Sequence, residues 1–147
     1  MIGLLEAGFD IVAVVRDQTN VENTKFIKEE AKMIGKCENL FFATGDLLKQ
    51  GSYDEAFKRY IGVLHTAAVV ELADFVKVKQ DVVKPPVEGT QNVISSVKKN
   101  AVERFVMVSS VAAIISLNKP TEYVFKETDW NEWSNVENGD PYGCAKT

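Results

Sequence analysis

Short runs of β-branched and aromatic residues alternate along the chain with segments of helical periodicity, and this alternation constrains the fold more than any other feature. The runs typical of strands are residues 11–15, 40–44, 62–66 and 105–109. Each run is continuously apolar, which suits a strand buried on both faces of its sheet. Such strands, separated by helices, predict an α/β fold in which helices wrap a parallel sheet.

Two segments between these runs carry apolar or small residues at intervals of three and four, as one face of a helix requires. The first set is Val21, Thr24, Ile27, Ala31 and Ile34, and the second is Val87, Thr90, Ile94 and Val97. Gly8 and Gly35 stand where left-handed residues would end helices. Asp140 followed by Pro141 predicts the start of a further helix.

A shorter helix is predicted from Ser52, because the sequence Ser-Tyr-Asp-Glu has the form of a capping box. This helix should run to about Arg59. Residues 111–139 contain Pro120, two tryptophans and many polar side chains, so we expect a loop with short irregular structure there.

Composition narrows the class of protein. The chain has 147 residues, of which 46% are hydrophobic and 26% charged, as in an ordinary globular domain. No apolar run approaches the roughly 18 residues that cross a bilayer, and residues 1–5 are too short and uncharged for a signal peptide. We therefore expect one domain in the cytoplasm, with no membrane partner.

Charge and cysteine content exclude two further classes of site. A net charge of −4 argues against a nucleic-acid partner, because binding to the phosphate backbone requires clustered Lys and Arg. Cys37 and Cys144 are far apart and match no metal-binding spacing, so we expect two reduced thiols and no metal.

Tyr142 and Lys146 are four residues apart, so a helix starting at Asp140 would carry both on one face. A free phenol has a pKa of about 10, while a positive charge 4 Å away contributes about 4 kcal/mol at an effective dielectric of 20. Such a pair can exchange a proton near neutral pH. Ser109 and Ser110 end a strand, where ligands lie in open parallel sheets, although serines there often only satisfy backbone groups.

Several segments together resemble a known family. They include Val-Leu-His-Thr-Ala-Ala at 63–68, Val-Ser-Ser-Val-Ala-Ala at 108–113 and Tyr-Gly-Cys-Ala-Lys at 142–146. Their order and spacing are similar to those of extended short-chain dehydrogenases, and among these to dihydroflavonol-reductase-like and yeast methylglyoxal-reductase-like aldehyde and ketone reductases. The resemblance implies a Rossmann-type doubly wound parallel sheet, of which residues 1–147 form a partial NAD(P)-binding domain.

The resemblance also assigns roles in a carbonyl reduction. It implies that Ser110 orients the carbonyl of a small-molecule substrate, with Ser109 as the fallback. Tyr142 would donate a proton to the carbonyl oxygen. Lys146 would bind the nicotinamide ribose and make the tyrosine a stronger acid, while the cofactor supplies hydride.

Cofactor contacts follow from the same resemblance. Arg16 stands right after the second strand of the family, where an acid accepts the ribose hydroxyls of NAD but an arginine pairs with the extra phosphate of NADP. We therefore expect NADP (NADPH), unless Arg16 merely pairs with Asp17 on the surface. The remaining contacts implied by the resemblance are Asp46 and Leu47 at the adenine, and Thr66, Ala67 and Ala68 along the cofactor. The lone histidine, His65, is interpreted as structural.

The family pattern is not complete in these residues. The chain opens inside the expected first helix, and the absent strand of the order 3-2-1-4-5-6 lies between the strands at 11–15 and 62–66. The glycine-rich phosphate-binding turn and the C-terminal substrate region are missing as well. We therefore expect a truncated product with little or no turnover.

Two alternatives stay open from the sequence. One is a nucleotide-sugar epimerase or dehydratase of the same extended group, which shares the Ser, Tyr and Lys set. The other is a non-catalytic fragment that binds a partner through an unfilled sheet edge. The oligomeric state and the identity of the substrate are not predicted.

Overall fold

The structure, a computed structural model, describes residues 1–67 and 80–147, with the side chains of residues 1–67 and 83–147. The strands are β1 (Ile11–Val15), β2 (Leu40–Thr44), β3 (Gly62–His65) and β4 (Arg104–Met107). The α-helices are α1 (Ile2–Glu6), α2 (Val21–Met33), α3 (Asp54–Phe57), α4 (Gln80–Lys99) and α5 (Pro141–Lys146). Single 3-10 turns lie at Cys37–Asn39 and Val111–Ala113.

The strands form two parallel pairs. β1 pairs with β2 from Ile11 opposite Leu40 to Val15 opposite Thr44, and β3 pairs with β4 in the same sense. In the described part of the chain no ladder joins β1 to β3. The α/β class with parallel strands is confirmed, and the two pairs are those that flank the central position of the expected strand order.

Local signals placed most element boundaries correctly. Gly8 and Gly35 have φ angles of 86° and 66°, in the left-handed region that glycine tolerates. The Asn20 side chain caps α2 by accepting hydrogen bonds from the amides of Glu22 and Asn23. The strands predicted at 62–66 and 105–109 end one and two residues earlier than expected.

The capping box predicted at Ser52 is wrong. α3 has Tyr53 at its N-cap without a side-chain hydrogen bond, and it ends at Phe57. The Ser52 hydroxyl instead accepts from the Asp46 amide and donates to the Asp46 carbonyl. A backbone partner six residues away therefore satisfies this side chain, and the first turn of α3 does not use it.

The core lies between α3, α4 and the β3–β4 pair. It consists of five buried side chains, namely Tyr53, Phe57, Val63, Val93 and Val97. Lys99 of α4 forms a 2.5 Å ion pair with Asp54, whose second carboxylate oxygen accepts from Ser96. The hydrogen bond from Lys99 holds the pKa of Asp54 below its usual value, so this carboxylate ties α3 to α4 in its ionised form.

Only one face of the β3–β4 pair is covered by the described residues. Val63 and Phe105 face the core, whereas Leu64, Val106 and Val108 are more than half exposed. The expectation that this pair is buried on both faces is therefore wrong for the described part of the chain. A side chain in a parallel strand is buried only where a helix packs over it, and here α3 and α4 pack on one side.

Candidate active site

Helix α5 brings Tyr142 and Lys146 together as predicted. The Asp140 side chain accepts the Gly143 amide at 2.9 Å, and Pro141 occupies the first helical position. One turn later, the Lys146 ammonium nitrogen lies 5.6 Å from the centroid of the Tyr142 ring. A cation over an aromatic face is favourable, so this geometry keeps the two groups side by side.

A cavity of about 210 Å³ lies between the carboxyl ends of β3 and β4 and one face each of α4 and α5. Its polar groups include Ser109 and Lys146, while Leu47, Val87 and Met107 form part of its apolar wall. This position, beyond the ends of parallel strands, is where ligands bind in open α/β sheets. The cavity therefore combines a hydroxyl and an ammonium with an apolar surface.

The two candidate serines have different environments. Ser109 lines the cavity, whereas the oxygen of Ser110 accepts a hydrogen bond from the Ala112 amide at 3.2 Å and caps the following 3-10 turn. This bond uses a lone pair of Ser110 and leaves its proton available. Helix α5 packs against the same turn, so both serines lie near the helix that carries Tyr142.

His65 lies in the wall of the cavity and is 7% exposed. Its ring stacks on Phe105 with centroids 6.3 Å apart. Burial, and secondarily the positive charge of Lys146, lowers the pKa of His65 below its ordinary value. A neutral imidazole next to Lys146 agrees with the interpretation of this histidine as a packing residue.

The residues expected to contact the adenosine lie at the ends of the other strand pair. The Gly45 amide donates to the Val15 carbonyl at 2.9 Å, which places the segment beginning at Asp46 next to Arg16. Arg16 is exposed, and Asp17 accepts hydrogen bonds from the amide and hydroxyl of Thr19. Asp17 is thus engaged locally, while the Arg16 guanidinium faces solvent beside the loop.

Close packing fixes the position of that loop. A methyl group added at Gly45 would lie 2.7 Å from a Val14 methyl and 2.9 Å from the Tyr53 ring. One added at Gly89 of α4 would lie 3.0 Å from the Leu47 side chain. Glycine at these two positions therefore lets the strand end, the loop and α4 approach one another.

A residue missed by the sequence reasoning organises the same loop. Asn92 of α4 is 7% exposed, and its amide nitrogen donates to the carbonyls of Leu47 and Lys49 at 3.1 and 2.7 Å. Its oxygen accepts the Gly51 amide at 2.9 Å. The helical face predicted from Val87, Thr90, Ile94 and Val97 lies opposite Asn92, so the sequence pattern gave no signal that this side chain is buried.

The remaining predicted contacts are only partly described. Ala67 lines the cavity, whereas Thr66 is exposed and does not contribute to the wall. Ala68 lies outside the described residues. Within the described part of the chain, no helix is long and apolar enough to cross a membrane, and no three His, Cys, Asp or Glu side chains form a possible metal site.

The polar side chains of the candidate site fit a phosphorylated nicotinamide dinucleotide in two places. Lys146 and a serine hydroxyl face an apolar cavity, and an exposed arginine follows β1 next to the loop of Asp46 and Leu47. Ligand pockets usually measure about 300–1,000 Å³, so this smaller cavity holds only part of a dinucleotide. The rest of the molecule would lie along the strand ends toward Arg16.

Comparisons with known proteins agree with this geometry. The model of the NAD dependent epimerase/dehydratase family matches residues 3–147. Dihydroflavonol 4-reductase of Solanum lycopersicum is 33% identical over 130 residues, which are 88% of this chain and 33% of that protein. Tetraketide alpha-pyrone reductase 1 of Arabidopsis thaliana is 34% identical over 112 residues, covering 76% of this chain and 33% of the relative.

Solved structures give the same result. The yeast methylglyoxal/isovaleraldehyde reductase Gre2, solved in complex with NADPH, superposes with a TM-score of 0.71 and 26% identity, over 97% of this chain and 44% of that one. Vestitone reductase from alfalfa (Medicago sativa) gives a TM-score of 0.73 and 25% identity, over 99% and 44%. The chain thus spans less than half the length of these proteins and about a third of its curated relatives. The fold is a Rossmann-type α/β fold, and the chain belongs to the NAD dependent epimerase/dehydratase family.

Proposed function

We propose that the protein reduces the carbonyl group of an aldehyde or ketone to an alcohol with NADPH, and that residues 1–147 are part of its cofactor-binding domain. The observation that carries this proposal is the ammonium of Lys146, which lies 5.6 Å from the centroid of the Tyr142 ring and lines a cavity together with Ser109. A proton donor, a stabilising charge and hydroxyl groups near an apolar space are the requirements of carbonyl reduction.

Arg16 and Lys146 would hold a nicotinamide cofactor, which would supply the hydride for the carbonyl carbon. Tyr142 gives its proton to the carbonyl oxygen, so that the carbonyl becomes a hydroxyl group. The positive charge of Lys146 stabilises the negative charge that the phenol acquires. The Ser110 hydroxyl donates a hydrogen bond to the carbonyl oxygen, without transferring its proton, and holds this oxygen near Tyr142. The bond from the Ala112 amide orients the hydroxyl.

Turnover tests the role of Tyr142. NADPH oxidation is followed with a panel of aldehydes and ketones at high protein concentration, because a cavity that holds part of the dinucleotide supports only slow turnover. We expect Tyr142→Phe to lower the rate about hundredfold, since general acid catalysis contributes roughly 10²–10⁴. The matched control is Tyr123→Phe, because the Tyr123 hydroxyl bonds Asp129 outside the cavity. Equal and measurable rates for the two variants would contradict the mechanism.

The choice between the serines is tested in the same assay. Ser110→Ala is expected to lower the rate about tenfold or more, as expected when a donor to the developing oxyanion is lost. Ser109→Ala is expected to have a smaller effect. If only Ser109→Ala impairs turnover, the cavity-lining serine is the substrate contact and Ser110 is structural.

Binding tests the choice of NADP over NAD without requiring turnover. Arg16→Gln should weaken NADPH binding about tenfold and leave NADH binding unchanged, because a charge-assisted bond to the extra phosphate contributes roughly 1.5–3 kcal/mol. Arg104→Gln is the matched control, since Arg104 is an exposed arginine at the start of β4. An equal loss for both dinucleotides in Arg16→Gln would show that Arg16 does not distinguish them.

A further inference from the structure

The loop between Ser110 and Tyr142 is organised around one buried side chain. Asn131 is 1% exposed, and both polar atoms of its side chain have hydrogen-bond partners. Its side-chain oxygen accepts the amides of Trp133 and Ser134 at 3.2 and 3.1 Å, and its side-chain nitrogen donates to the Ala112 carbonyl and the Ser134 side-chain oxygen. The oxygen contacts backbone N–H donors and the nitrogen contacts oxygen acceptors, so a flipped side-chain amide would lose these bonds and only one orientation is allowed.

On one side Asn131 holds the turn that Ser110 caps. Its side-chain nitrogen donates to the Ala112 carbonyl at 2.8 Å, and its backbone amide donates to the Ala113 carbonyl at 2.9 Å. The Ala112 amide in turn donates to the Ser110 oxygen at 3.2 Å. The position of Ser110 therefore depends on a turn that is clamped from the loop.

On the other side Asn131 reaches the helix of Tyr142. The second hydrogen of its side-chain nitrogen goes to the Ser134 oxygen at 2.7 Å, and the Ser134 hydroxyl donates to the Asp140 carboxylate. The other carboxylate oxygen of Asp140 accepts the Gly143 amide at 2.9 Å. One chain of hydrogen bonds thus runs from the turn after β4 to the first turn of α5.

Gly143 shows how tightly this chain is packed against the helix. A methyl group added there would collide with the Asp140 carboxylate and would lie 2.6 Å from the Ser134 oxygen. The residue after Tyr142 must therefore be glycine for the link to form. Ser134 is itself buried at 9% exposure, so water does not easily replace its bonds.

We propose that Asn131 and Ser134 are positioning residues that set the distance between Ser110 and Tyr142, and the proposal rests on the proposed function for the roles of those two. Neither residue bonds to Ser110 or Tyr142 directly. Proton transfer requires the donor within hydrogen-bond reach of the carbonyl oxygen, and small misplacements of reacting groups cost large factors in rate. A buried link of directed bonds fixes such a distance better than a free loop does.

The test removes the link in its middle, with Ser134→Ala, and measures both ends by amide hydrogen exchange in the 147-residue chain. We expect exchange to accelerate about fivefold at Gly143 and at Ala112, since each lost bond is worth about 1 kcal/mol. Ser116→Ala is the matched control, because Ser116 is also buried and also bonds a side chain, that of Asn118. This control substitution should leave the exchange rates of the Gly143 and Ala112 amides within about twofold of those in the unsubstituted chain.

A second readout reports on the site itself. In the chain labelled at tyrosine, the ring signals of Tyr142, assigned with Tyr142→Phe, should shift in Ser134→Ala and stay in place in Ser116→Ala. Wherever NADPH oxidation is measurable, Ser134→Ala should lower kcat about tenfold and leave the KM for NADPH within about twofold, because positioning acts on the chemical step.

A second variant approaches the link from the opposite end. Asp140→Asn keeps an oxygen for the Gly143 amide but removes the acceptor of the Ser134 hydroxyl, so Ala112 should again exchange faster. Changes confined to residues 133–135 in Ser134→Ala, with Ala112 unaffected in Asp140→Asn, would overturn the inference. The exchange measurement needs no turnover, so it decides this inference by itself. Equal, measurable NADPH oxidation by Tyr142→Phe and the unsubstituted chain would count against the proposed function and leave the result of the exchange measurement intact.

Discussion

Two loops follow strand ends in this molecule, and each is held by a buried asparagine, but the asparagines belong to different kinds of structure. The loop after β2 is held by Asn92, which reaches from helix α4 across more than 40 residues of sequence. The loop after β4 is held by Asn131, which is part of the loop itself. The first loop is fixed to a helix from outside, whereas the second is fixed by its own residues.

The difference matters for how each half of the site responds to change. The loop of Asp46 and Leu47 depends on the packing of a 20-residue helix, so it should keep its shape as long as α4 stays in place. The loop that joins Ser110 to Tyr142 contains only one 3-10 turn between β4 and α5 and relies on side-chain hydrogen bonds. We therefore expect the second loop to be the more sensitive to single substitutions.

The largest expected effect compares the asparagines directly. Asn131→Ala should lower the free energy of unfolding by about 3 kcal/mol, because it leaves several buried groups without partners. Asn92→Ala should cost about 2 kcal/mol, since part of its loop can bond water instead. Urea denaturation measures both. A larger loss of unfolding free energy in Asn92→Ala than in Asn131→Ala would mean that the loop after β2, and not the loop after β4, is the more sensitive to substitution.

Added methyl groups give the next largest effect. Gly143→Ala should destabilise the chain by about 2 kcal/mol and Gly89→Ala by about 1 kcal/mol, because the new methyl at 143 meets fixed polar groups and that at 89 meets the Leu47 side chain. Gly3→Ala in α1 is the control, since its methyl would have nothing within 4 Å and alanine favours helix. Thermal denaturation ranks the three variants, and equal losses at 143 and 3 would contradict the packing argument.

The dependence of stability on pH near neutrality should come from His65, in the wall of the cavity. Burial lowers the pKa of His65, so the unfolded state binds a proton more readily than the folded state does. The contribution of His65 to the free energy of unfolding is therefore complete above about pH 6.5. It declines as the pH falls from there through the lower pKa that His65 has in the folded state. His65→Gln should flatten this part of the stability profile. An unchanged slope between neutral and mildly acidic pH would show that His65 does not cause it.

The smallest expected effect is the interaction between the two loops. Asn92 and Asn131 share no hydrogen-bond partner, so their substitutions should be additive within about 0.5 kcal/mol. A double-mutant cycle with Asn92→Ala and Asn131→Ala measures the coupling. A coupling well above this size would mean that the two loops form one cooperative unit.

Much of the fold follows from local sequence patterns. The strands β1 and β2 were predicted at their observed bounds, because continuous β-branched and aromatic runs bounded by polar residues leave little choice. The cap at Asp140 followed from an aspartate before a proline, and it correctly placed Tyr142 and Lys146 on one helical face. These features depend on neighbours within a few residues.

The features that were missed depend on distant partners. Ser52 has the local form of a cap but bonds Asp46 across the loop. Asn92 and Asn131 gave no local signal of the carbonyls and amides that they bind, because these groups are brought near only by the tertiary fold. The assignment of Ser110 over Ser109 is equally beyond local pattern and stays a prediction, since both residues follow the same strand.

The uncovered face of the β3–β4 pair has a practical consequence for these measurements. Within residues 1–67 and 83–147, no side chain covers the apolar surface formed by Leu64, Val106 and Val108. Dyes that fluoresce on exposed apolar surface, often used to detect partly folded states, will bind the native protein here. Melting curves recorded with such dyes would start from a high signal, so circular dichroism is the better way to follow unfolding of this chain.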